Sequence, residues 1–178
     1  MVSLEPIVCP VRDCPIPIDV MLRSSENFLI GAHKANLSHH SDGFPDVDAV
    51  SDSSEVVDVT ESTETLKLLM KFVHKRPYPN VSLLQDNVLL DLAMASEKYM
   101  VHSAMIACSM CLQFTAQKYP IRALAYAVQY GYAEIMDAAA PFTVFESMET
   151  VENGLNSESA LFAWVGQKRR FEKGFGSN

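Results

Sequence analysis

A chain of 178 residues is long enough to bury about 70% of the surface its unfolded form exposes. With 48% hydrophobic and 20% charged residues it has the balance of a folded globular protein, which excludes a disordered or collagen-like chain. Its net charge of −8 repels phosphate backbones and anionic lipid heads, and its apolar runs fall far short of the roughly 20 residues a membrane-spanning helix needs.

The N-terminal segment Met1–Pro17 carries Pro6, Pro10, Pro15 and Pro17 and lacks a basic stretch ahead of an apolar block. It reads as a flexible lead over residues 1–15 and not as a signal peptide. Cys9, Cys14, Cys108 and Cys111 are too few for a disulfide framework in a chain of this length, so we read them as reduced thiols. The expected location is intracellular, cytoplasmic or nuclear.

Asp19–Arg23 and Phe28–Ile30 are two short apolar runs joined by Ser24-Ser25-Glu26-Asn27, the pattern of a β-hairpin. Ala32–Leu37 opens a short helix that stops near Gly43 and Pro45. The acidic stretch Ser41–Glu55 reads as an exposed loop, and the β-branched Val56-Val57-Asp58-Val59 returns the chain to the sheet as a third strand. Ser62, Thr63 and Glu64 suit a helix start. Leu66, Leu69, Met70 and Val73 then share one helical face while Leu68 and Phe72 cover another, and Pro77 and Pro79 end this helix.

Further helices are expected over Asp86–Tyr99 and His102–Thr115. Another starts at Pro120 and ends at Gly131, and a short one over Ala133–Ala140 stops at Pro141. The last runs over Ser157–Phe171, with Leu161, Trp164 and Val165 on one face and Lys168, Arg169 and Arg170 at its C-terminal end. Strands first and helices afterwards make an α+β order.

Asp19-Val20-Met21-Leu22, followed by Phe28–Leu37 with its Ala32-His33-Lys34, resembles the opening signature of BTB/POZ domains. Ser41-Asp42-Gly43-Phe44 is similar to that family's Ser-x-x-Phe, and Leu66–Phe72 and Leu90–Tyr99 to its next two helices. The resemblance covers residues 16–115. Residues 116–141 resemble the helical pair that follows the domain in many fungal BTB proteins, leaving 142–178 as a C-terminal helical extension.

The resemblance implies a small sheet of three or slightly more strands flanked by a cluster of helices, and a non-catalytic module for protein–protein interaction. Its partner would be a second copy of the chain or a cullin-type scaffold. In dimeric members an acidic residue of the first strand and the basic residue after the histidine form a charged pocket at the subunit interface. These match Asp19 and Lys34, with His33 and Leu37 beside them; the other reading of Asp19 and Lys34 is two ordinary surface charges. The prolines of Met1–Pro17 exclude the long leading helix of strand-exchanged dimers.

Sharper chemistry finds little in the pattern. Cys108-Ser109-Met110-Cys111 is formally half of a zinc or redox site, with Cys9 and Cys14 as its only cysteine partners, but it lies on an apolar helix where free cysteine acts as a small hydrophobe. His39-His40 and the nearby aspartates match neither a helical zinc motif nor a calcium loop. No nucleophile elbow, dinucleotide fingerprint or P-loop occurs.

Lys168-Arg169-Arg170 with Lys173 is shorter than the usual nucleic-acid patch and reads as a solvated helix end. The expectation is thus an oligomerising scaffold without cofactor, metal, membrane or small-molecule substrate. The alternatives are a cullin-ligase substrate adaptor and a transcription-linked regulator using the basic patch.

Overall fold

The computed structural model describes residues 7–44, 56–155 and 157–175. Pro45–Glu55, most of the stretch read as an acidic loop, lies outside the described residues, as does the start of the lead. Among the described residues the chain forms three strands and eight α-helices, an α+β architecture. It divides between Cys108 and Ser109 into two compact units.

In the first unit, alternation along β1 (Val20–Arg23) buries Val20 and Leu22 completely and leaves Met21 and Arg23 half-buried. That period of two is what a strand with one core-facing side requires. β1 pairs antiparallel with β2 (Leu29–Ala32), Val20 opposite Ala32 and Leu22 opposite Ile30. In the connecting turn, Asn27 sits at φ 64°, a left-handed conformation that asparagine tolerates, and its N–H donates to Ser24 O at 2.9 Å.

β3 (Val56–Asp58) pairs with the other side of β1 in parallel, so the sheet order is β2-β1-β3. A parallel pair needs a crossover, and this one carries α1 (Lys34–His40). The hairpin, the first helix and the third strand thus stand where the sequence pattern places them.

α2 (Thr63–Phe72) starts at Ser62, whose hydroxyl accepts the Thr65 N–H at 3.2 Å. It buries Leu66, Leu68, Leu69, Met70 and Phe72, so it is covered on more than one side as its two apolar stripes require. Its end is a correction: α2 stops at Phe72, before Pro77. The imidazole of His74 donates from Nδ1 to the carbonyl of Met70 at 2.6 Å, satisfying an end carbonyl with a side chain. α3 (Asp86–Lys98) follows, and α4 (His102–Thr115) begins after Met100, which turns the chain at φ 49°. Leu22, Leu37, Leu66, Leu69, Met70, Phe72 and Leu92 make the centre of this core.

The second unit contains α5 (Pro120–Tyr130), which opens on Pro120 and closes on Gly131 at φ 79°. α6 (Ala133–Thr143) runs through Pro141, a second correction. The N–H that Pro141 lacks would have bonded the Asp137 carbonyl, so α6 gives up one helical bond there and runs only two residues further, to Thr143. The Thr143 hydroxyl donates to Ala140 O at 2.8 Å and holds that turn closed.

α7 (Met148–Gly154) has no counterpart in the sequence reading. Its one buried side chain, Val151, leaves no periodicity to detect, and only the Ser147 cap, accepting the Thr150 N–H at 3.1 Å, marks its start. α8 (Glu158–Phe175) extends beyond the expected Phe171. Among the described residues no helix is long and apolar enough to cross a membrane.

Candidate functional site

The junction between β2 and α1 gathers the residues singled out in the sequence. His33 occupies the N-cap position of α1 but makes no side-chain capping bond there. Its ring is turned inward, 1% exposed, leaving the helix start without the acceptor such a position usually supplies. Asp19, just ahead of β1, supplies it, its carboxylate accepting the backbone N–H of Lys34 at 2.7 Å. A carboxylate at that place also complements the positive end of the helix dipole.

The Asp19–Lys34 contact therefore runs through the Lys34 backbone. Replacing Asp19 with alanine should lower stability by about 1 kcal/mol, the usual value of such a cap. Lys34→Ala should leave that hydrogen bond intact. Urea unfolding of both variants checks this, and equal losses would show that the lysine side chain matters as much as the cap. Leu37, on the next turn, is fully buried within the first unit, so neither it nor His33 presents surface to a partner. Asp19 and Lys34 are partly exposed.

The Ser41–Phe44 segment closes on the end of α3. Ser41 Oγ donates to Tyr99 O at 2.6 Å, Gly43 N–H donates to the same carbonyl at 3.0 Å, and the Phe44 ring stacks on Tyr99 at 4.1 Å. A Cβ on Gly43 would stand 2.7 Å from Lys98 O and 2.8 Å from the Tyr99 carbonyl carbon, so only glycine fits this approach.

Glu61 completes the cluster, accepting from Lys98 Nζ at 2.8 Å, from Thr60 Oγ1 at 3.0 Å and from the Tyr99 hydroxyl. Burial alone would raise the Glu61 carboxyl, but these three donors outweigh it and hold it below its ordinary value of 4.5. Burial and the Glu61 charge push the Tyr99 phenol well above its usual range.

A depressed carboxyl stabilises the fold above its unfolded pKa and loses that contribution as pH falls through its folded one. Glu61→Gln should cost about 1–3 kcal/mol at neutral pH and flatten the decline of stability on acidification below about pH 4.5. Urea titrations at several pH values would read both effects. An unchanged acid limb would show that Glu61 carries none of it.

A second arrangement joins the lead to His33 at the start of α1 and His74 just after α2. The lead is tied to the first unit from Ile7 onward: Val8 O accepts the Gly31 N–H at 3.1 Å, and Arg76 Nη2 donates to Asp13 O at 3.4 Å. These ties bring Cys9 Sγ to 3.4 Å from His74 Nε2 and Cys14 Sγ to 3.2 Å from His33 Nε2. The two imidazoles meet edge to face at 5.2 Å.

Each ring spends its other nitrogen on a backbone carbonyl, His33 Nδ1 on Pro17 O at 2.8 Å and His74 Nδ1 on Met70 O at 2.6 Å. A carbonyl can only accept, so both Nδ1 atoms carry the proton and, in the neutral rings, both Nε2 atoms present a lone pair to sulfur. Burial, first of its causes, lowers the His74 pKa, and His33, His40 and Arg76 act in the same direction. Burial likewise pushes the Cys9 thiol up to about 11, with Cys14 beside it adding to the rise.

In the sequence Cys9 and Cys14 are the only cysteine partners open to Cys108 and Cys111, and all four read as reduced thiols. The structure sets Cys9 and Cys14 against His33 and His74 instead. Among the described residues the Cys108–Cys111 pair belongs to no such cluster. No spacing rule joins a Cys-x-x-x-x-Cys lead to two histidines 41 positions apart, and His74 had no signal beyond its place near a helix end.

The C-terminal basic residues are partly engaged. Lys168 donates to Glu146 O at 3.0 Å and lies 4.9 Å from the centroid of the Trp164 ring. The side chains of Arg170 and Lys173 lie outside the described residues. Neither a protein-family model nor a curated protein matches this chain.

Proposed function

We propose that the chain is a protein-interaction module of the BTB/POZ type that self-associates and has no catalytic role. The observation that carries the interaction reading is in the second unit, where Phe114, Phe142, Phe145 and Phe162 are 46–82% exposed. Fully burying a phenylalanine is worth about 1.5–3 kcal/mol, so the three that are more than three-quarters exposed, Phe114, Phe145 and Phe162, forgo most of that in water, and a partner that covered them would recover it. The BTB/POZ reading is supported by the order β1-β2-α1-β3-α2-α3 and by the parts its motif residues play, Asp19 capping α1 and Ser41 and Phe44 closing on Tyr99.

The absolute mass of the full chain by light scattering, across a hundredfold dilution, tests self-association. A concentration-dependent dimer is expected. The combined variant Phe114→Ser, Phe145→Ser and Phe162→Ser should weaken it by at least about tenfold, the effect of losing one interface anchor.

A monomer at every concentration would overturn self-association and turn the reading to an adaptor that docks another protein, such as a cullin-type scaffold. Salt-sensitive DNA binding would turn it to the transcription-linked regulator.

A further inference from the structure

Cys9, Cys14, His33 and His74 form the one cluster of its kind among the described residues, their four potential ligand atoms lying within 4.8 Å of one another. In a tetrahedral zinc site with Zn–S about 2.3 Å and Zn–N about 2.0–2.1 Å, the ligand atoms stand roughly 3.3–3.8 Å apart. The two sulfur–nitrogen separations of 3.4 and 3.2 Å are already close to that spacing. The longest separation needs to close by about 1 Å, within the reach of side-chain torsions in a lead turned back on itself by Asp13 at φ 53°.

The surroundings of the histidines are those a metal requires. A ligating imidazole has its free nitrogen fixed by an acceptor so that the other presents its lone pair, and Pro17 O and Met70 O do this for His33 and His74. Two thiols and two imidazoles suit zinc in preference to the hard cations, which take oxygen. A cleft of about 200 Å³ reaches Cys14 and His74 between Val11, Pro15 and Ile16, with Lys75 and Arg76 also in its wall.

We propose that Cys9, Cys14, His33 and His74 bind one Zn²⁺ as a structural Cys2His2 site. Binding breaks two S–H bonds and forms two Zn–S and two Zn–N bonds. The two protons leave to solvent, and two thiolates neutralise the charge of the ion. The ion fastens the proline-rich lead to two places distant in the sequence, the β2–α1 junction and the residue that caps the end of α2. This site does not depend on the self-association proposed above, and its test is read separately.

The test uses the full chain, reduced and stripped of metal with a chelator, then titrated with Co²⁺ alone. One equivalent should give the strong visible bands of tetrahedral cobalt together with a near-ultraviolet sulfur-to-metal charge-transfer band, and Zn²⁺ should displace it. Cys14→Ser and His74→Ala should each weaken binding by at least about 100-fold, more than losing a hydrogen-bond partner of a ligand brings.

The double variant Cys108→Ser and Cys111→Ser should bind normally. The serine at position 14 still offers a hydroxyl to His33, so its metal-free thermal midpoint, compared with that of the metal-free parent, controls for folding. Absence of the charge-transfer band in the folded, reduced parent overturns the proposal, as does full affinity in Cys14→Ser or loss of binding in the Cys108/Cys111 variant.

Discussion

Replacing Trp164 with alanine is expected to destabilise the second unit by about 3–5 kcal/mol, the usual cost of removing a large buried aromatic side chain. Trp164 is 3% exposed on α8, and its Nε1–H donates to Thr143 Oγ1 at 2.9 Å in a buried bond. Thr143 in turn donates to Ala140 O, so the indole, the hydroxyl and the last turn of α6 form one chain of donors and acceptors. Alanine removes the volume and leaves the hydroxyl oxygen without its donor.

Trp164→Phe separates these contributions, keeping most of the apolar contact while losing the bond, and should cost about 1 kcal/mol from that source. Far-UV circular dichroism through a urea titration measures both. An alanine variant within about 1 kcal/mol of the parent would show that α8 is not held to α6 by this residue.

Leu37→Ala should cost about 2–5 kcal/mol, because the side chain is fully enclosed in the first unit and its removal leaves a cavity that the surrounding side chains only partly fill. The residue also decides between two readings of α1. A leucine at a subunit interface would lower stability in proportion to how much dimer is present, so its effect would fade on dilution. A core leucine acts within one chain, and the expected loss is the same at every protein concentration. Urea unfolding at two concentrations a hundredfold apart reads the difference, and a loss seen only at the higher one would return Leu37 to the interface.

Much of the architecture was legible because its signals are local. The alternation of Val20 and Leu22, the Ser62 cap ahead of Leu66 and Leu69, and Gly131 after Val128 each depend on neighbours within a turn or a pleat, where the period of the backbone dictates which side chains share a face. Where local signals were weak or contested, the reading slipped. Pro141 looked like a stop, yet α6 continues two residues past it to Thr143, and α7 buries too little to show a pattern. α2 ends before Pro77, where His74 satisfies one of its end carbonyls, Met70 O, a contact that no propensity for proline at 77 could reveal.

The resemblance drew attention to Asp19 and Lys34 as charges, and the structure joins them through a carboxylate and a backbone N–H. That contact exists because the hairpin register places Asp19 beside the start of α1. The cysteine–histidine cluster lay still further from reach. Its two sulfur–nitrogen contacts span 19 and 65 residues, distances at which composition and spacing carry no information.

The amino-acid pattern was therefore sufficient for the α+β class, the hairpin, the third strand and most helices, since burial of an apolar face along one element is a property of that element's own periodicity. Which lone pairs face which thiols was left to the tertiary structure. Only the packing of the lead, the end of β2 and the end of α2 against one another brings the sulfur and nitrogen atoms of Cys9, Cys14, His33 and His74 within 4.8 Å of one another.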